Sequence, residues 1–148
     1  MMNKKILSLV LIACLLFTGC GYNKPETHSM MGLNIKSITT ICGTECTLKD
    51  IDVKSTHEYG MTSYVYTDVA NDRGILDAQK YHDYLGGLSS CVRIDDFDKA
   101  KGYYNAYFQV TKKIKEGFLM KVSFTKDSYT VHIEDNANLE KLTLKKDN

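Results

Sequence analysis

Tryptophan is absent from this chain of 148 residues, and proline occurs once, at Pro25. A single proline excludes proline-rich recognition tracts and collagen-like repeats. No stretch reaches the ~20 apolar residues that a membrane-spanning helix needs. The longest apolar run, Ile6 to Phe17, has 12. An excess of charge of one sign is missing too, since 19 Lys and Arg face 18 Asp and Glu. That balance excludes the broad basic face used on nucleic acid, so no nucleic-acid partner is expected. There is no Gly-rich phosphate loop and no Gly-x-Ser-x-Gly turn. No internal repeat or low-complexity block interrupts the chain. What is present is ordinary for a globular domain: 43% hydrophobic residues, 25% charged residues and ten tyrosines.

The N-terminus has a distinct pattern. Lys4 and Lys5 precede the apolar run, and Phe17-Thr18-Gly19-Cys20 follows it. This order of basic, apolar and small residues is that of an export signal. The last four residues resemble the lipobox of bacterial prelipoproteins, and the resemblance covers residues 1–20 only. It implies that residues 1–19 are a cleaved signal peptide. It also implies that the Cys20 thiol carries a diacylglyceryl group (a palmitate-type lipid) and becomes the first residue of the mature chain. Two or three acyl chains give a stable hold on a bilayer where one gives only a marginal one. Leu11-Ile12-Ala13-Cys14 also fits the pattern, but lipidation there would leave a short apolar region, Ile6 to Ala13. The expected partner is therefore a membrane, reached through the anchor on its extracytoplasmic side (the outer membrane if the host has one). Without Lys4 and Lys5, the mature chain has 17 basic and 18 acidic side chains.

Residues 20–32 are polar, with scattered Gly and Pro25, and read as a flexible tether. Residues 33–148 have the length of one small domain. Alternation of period 2 predicts strands over 103–110, 118–125 and 129–134, with short turns between them. An upstream hairpin is expected from 47–54 and 61–69. Ile75, Ala78, His82 and Leu85 recur at helical spacing, with Asn71 or Asp72 as N-cap and Gly86-Gly87 as C-cap. Residues 33–42 fit a short helix or a first strand, and their β-branched content favours the strand. The expected fold class is α+β: an antiparallel sheet of about five strands, made of hairpin, helix and three-stranded meander, with one helix packed on one face.

Few residues point to chemistry. Cys42, Cys46 and Cys91 remain after Cys20 takes lipid, and an exported domain allows a disulfide among them. Cys42 and Cys46 have a zinc-like gap, but no second close pair accompanies them, so no metal or other cofactor is expected. His57-Glu58 lacks the second histidine of a zinc-protease helix. His132-x-Glu134 lacks the downstream Cys pair of a zinc deaminase. Asp95, Asp96 and Asp98 lack the Gly and Glu positions of a calcium loop. His82 fits a hydrogen-bonded boundary position. Tyr103 and Tyr107, and Tyr64 and Tyr66, are read as polar-face tyrosines, a composition suited to protein or glycan contact. The expectation is a binding or accessory module with no catalytic residue, with another envelope protein as a second partner. The alternatives are a small extracytoplasmic enzyme and a structural envelope component.

Overall fold

The structure, a computed structural model, describes residues 22–55, 60–110 and 116–138. The signal, Cys20 and His57-Glu58 lie outside those residues. β1 (Thr27–Met30) and β2 (Leu33–Lys36) pair as a separate hairpin. Met31 and Gly32 turn it at φ of 49° and 82°, which matches the twist of a two-residue hairpin turn. Thr27–Met30 falls within the expected tether, so the folded part begins earlier than residue 33. The reason is burial: His28 on β1 is only 2% exposed.

The strand expected over 33–42 is split. Ser37 accepts the N–H of Thr40 at 3.2 Å, which caps α1 (Ile38–Cys42). Gly43 then closes that helix in the left-handed region, with its N–H on the Thr39 carbonyl. β3 (Thr47–Ser55) and β4 (Gly60–Thr67) form the expected hairpin. α2 (Gly74–Gly86) follows at the expected place. Its cap differs from expectation. Asn71 and Asp72 take left-handed φ in a 3-10 turn, and Arg73 precedes the helix without a side-chain cap.

β5 (Cys91–Ile94), β6 (Tyr103–Gln109), β7 (Glu116–Phe124) and β8 (Tyr129–Asn138) are the remaining described strands. Their sheet has six strands in the order β3-β4-β8-β7-β6-β5, every pair antiparallel. The α+β class is as expected, but among the described residues a six-stranded sheet, a separate hairpin and two α-helices replace five strands and one helix. β5 was missed because four residues carry too little alternation to register.

One face of the sheet holds the core. Tyr104, Ala106, Phe108, Phe118, Met120, Val122, Val131 and Ile133 are buried there against Ala78, Tyr81 and Leu85 of α2. Each large side chain so buried contributes about 1.5–3 kcal/mol. Two of the buried phenols have polar partners: Tyr81 donates to the Lys36 carbonyl and Tyr104 to that of Ala78, both at 3.0 Å, while the Tyr66 hydroxyl has none among the described residues. α2 enters the sheet closely at Gly74. A Cβ there would lie 2.2 Å from the Thr125 carbonyl oxygen. Among the described residues, no helix is long and apolar enough to cross a membrane.

Candidate functional site

The hairpin β1–β2, α1 and α2 all pack on the inner side of the sheet. His28 lies on Tyr64, Cys42 on α2, and α2 on Tyr104 and Met120. No described element covers the outer side. Register places its residues in three rows. Asn105, Lys121, His132, Ser63 and Asp52 form the middle row across five strands. Tyr103, Ser123, Thr130, Val65 and Asp50 form a second row. Tyr107, Leu119, Glu134, Met61 and Lys54 form the third.

Two of the four expected tyrosines are on this face. Tyr103 is half-buried, with the ammonium groups of Lys101 and Lys121 at 4.6 and 4.4 Å from its ring centroid. Neither ammonium forms an ion pair among the described residues. Tyr107 is 8% exposed, because the Arg93 guanidinium lies 5.0 Å over its ring. Burial, and then the Asp95 carboxylate, push its phenol pKa up.

The other two were misplaced. Tyr64 and Tyr66 point to the inner side, paired in register with Val131 and Tyr129. Tyr66 is fully buried against Tyr129, ring centroids 5.2 Å apart. β4 reads Met-Thr-Ser-Tyr-Val-Tyr, in which either alternating set could be the apolar one. The sheet buries the set with more surface to hide.

A cleft of about 520 Å³ opens beside Tyr107, lined by Arg93, Ile94, Asp95, Asp96, Asp98, Lys101 and Tyr107. Two of its three acidic residues have structural tasks. Asp95 accepts from the Asn105 side chain at 2.8 Å and pairs with Arg93 at 3.6 Å. Asp98 accepts the Ala100 N–H at 2.8 Å and holds the turn into β6. Among the described residues, no three His, Cys, Asp or Glu side chains converge as metal ligands would.

Sequence reasoning missed Ser63. Its Oγ lies 2.8 Å from Nδ1 of His132, whose Nε2 is 4.0 Å from Glu134. Ser63 gives no motif signal, since only strand pairing brings it to His132. This is a nucleophile–base–carboxylate order, but it lies on an open strand face. β4 is an inner strand with ladders on both sides, so its backbone N–H groups are committed and none is left for an oxyanion. His82 takes the boundary position expected of it. It is half-buried, donates from Nε2 to the Asp95 carbonyl at 2.8 Å and meets Tyr104 edge-on.

The cysteines considered for a disulfide are free thiols. Cys42 donates to the Asp77 carbonyl at 3.4 Å, and Cys46 accepts the Tyr129 hydroxyl at 3.5 Å. Cys91 lies on β5 with its thiol on the Arg93 carbonyl. Burial, and then Asp77, push the Cys42 thiol up to about 12.

Comparison with family models, with curated proteins and with solved structures gives no match. The site is therefore read from its own geometry.

Proposed function

We propose that this chain is a lipid-anchored envelope protein, and that its domain is a binding or accessory module docking another envelope protein through the outer sheet face. The observation that carries the reading is the asymmetry of the sheet. One side is sealed by helices and a hairpin, and the other presents five strands of mixed chemistry with no described cover. Half-buried Met61, Val65 and Leu119 lie among polar Asn105, Lys121 and His132 on that side. A mixed surface of this kind suits a reversible protein contact better than a core does. Tyr103, half-buried beside its two lysines, is the tyrosine of this face that is not packed under Arg93.

The anchor rests on Lys4, Lys5, the apolar run and Phe17-Thr18-Gly19-Cys20. It would hold the domain on the extracytoplasmic side of the membrane, or at the outer membrane in a host that has one. Labelling with a radioactive palmitate precursor tests it: label is expected in the wild type and absent in Cys20→Ser. Label retained in Cys20→Ser sinks the assignment to Cys20, and an unlabelled wild type sinks the anchor.

For the face, a photo-crosslinking residue at position 105 is expected to trap a partner in host membranes. Tyr103→Ala combined with Lys121→Ala is expected to reduce that product several-fold. An undiminished product removes the outer face from the proposal. Tyr107 is unsuited to the test, because its ring is packed under Arg93.

A further inference from the structure

β3 is the long free edge of the sheet, and we propose that it pairs with β3 of a second copy of this chain. It has nine residues, about 30 Å of strand. Its inner neighbour is β4, and no described strand pairs with its other side. The opposite edge is poorly suited to pairing. β5 has four residues, a register shift between Cys91 and Arg93, and α2 packed against it.

Edge strands normally discourage association with charge. Here the order of charges is self-complementary. β3 reads Thr-Leu-Lys-Asp-Ile-Asp-Val-Lys-Ser, and Val53 is 64% exposed. Antiparallel pairing with Val53 opposite Val53 puts Asp52 of each copy opposite Lys54 of the other. Centring on Asp52 also gives two opposite-charge pairs, Asp50 with Lys54, but sets Asp52 against Asp52 between them. Centring on Ile51 sets Asp50 against Asp52 twice. Like charges directly opposite are unfavourable, so charge selects the Val53 register. Asp52 and Lys54 already share a face within one chain, 3.3 Å apart. Pairing therefore builds a four-charge cluster of alternating sign.

This register requires a two-fold axis perpendicular to the sheet, because paired residues share a face. The two outer faces then join into one continuous surface. Both β1–β2 hairpins lie on the other side, and with them both N-terminal ends of the folded part. Two anchors on one side can enter one bilayer; this last argument rests on the anchor reading, while the edge pairing does not. This register engages residues 51–55 of each copy, five of the nine in β3, so the interface is small, and confinement to a membrane raises its effective concentration.

The test uses full-length protein reconstituted in phosphatidylglycerol–phosphatidylethanolamine vesicles. Val53→Cys with a short bis-maleimide is expected to give a covalent dimer well above that of the wild type. Adding Asp52→Lys, or Lys54→Asp, is expected to lower the dimer at least fivefold. Adding both is expected to restore it, since the swap returns opposite charges to each pair. Wild-type dimer levels in Val53→Cys, or a charge-swapped protein no better than the single variants, overturn the proposal. So does a Val53→Cys product in host membranes that is a different protein. Flotation with the vesicles reports the anchor separately, so loss of anchoring and loss of pairing are distinguishable.

Discussion

The imidazole of His28 lies on the ring of Tyr64, with centroids 4.4 Å apart and planes tilted by 45°. Neither ring nitrogen has a hydrogen-bond partner in the described structure. Burial lowers the pKa of this histidine from 6.5 to about 4. The consequence is a pH dependence with a definite sign. Between pH 6.5 and 4 the unfolded chain takes up a proton that the folded chain refuses. Stability is therefore complete above pH 6.5 and falls as the pH drops towards 4, by about 3 kcal/mol in all. Urea midpoints at pH 7 and pH 4.5 should separate by more in the wild type than in His28→Phe. Equal separations would remove the assignment.

Gly74 should not tolerate a side chain. Alanine at this first helical position would ordinarily gain up to about 1 kcal/mol in helix propensity. The new Cβ would meet backbone at 2.2 and 3.0 Å, in the turn between β7 and β8, and relieving such a clash costs about 1–3 kcal/mol. The clash wins, and Gly74→Ala should lower the melting temperature by several degrees. Gly86→Ala is the control, since its nearest contact would be Ile94 at an ordinary 3.7 Å. That variant should melt at or slightly above the wild type.

Thiol reactivity should follow burial. With its pKa near 12, Cys42 is almost wholly protonated at pH 8, and the thiolate is the reactive form. In the native protein Cys42 should react with an aromatic disulfide reagent more slowly than the same thiol in the unfolded chain. Cys42→Ala should then leave the fast phase of labelling unchanged. Loss of a fast-reacting thiol in that variant would contradict the packing described.

Ser63 distinguishes binding from hydrolysis. Its contact with His132 has the geometry of an activated hydroxyl, without free N–H groups to hold an oxyanion. A fluorophosphonate should leave the protein unlabelled. Stoichiometric label that disappears in Ser63→Ala would establish the enzyme reading in place of the binding one.

The parts of the fold legible in the sequence are those where alternation has one sense. In β6 and β7, Tyr104, Ala106, Phe108 and Phe118, Met120, Val122 define the buried side because their neighbours include Asn105, Gln109, Lys121 and Ser123. In β4 the two sets are nearly equal in polarity, so the face of Tyr64 and Tyr66 is decided by pairing with β8. The β1–β2 hairpin was hidden because its turn places Met31 at positive φ, where sequence rules expect Gly or Asn. Ser63 and His132 are 69 residues apart and meet only across two strands, a relation no local pattern encodes.

β8 has a consequence for the order of events. It lies between β4 and β7, so it alone joins the β3–β4 hairpin to the β5–β6–β7 half of the sheet. A chain emerging N-terminus first, from a ribosome or an export channel, has two unconnected half-sheets until about residue 138 is out. Val131 and Ile133, which close the core from the middle, arrive last. Such a domain cannot fold in instalments. Until β8, the last described strand, has emerged, the apolar faces of both half-sheets stay open to solvent and to chaperones.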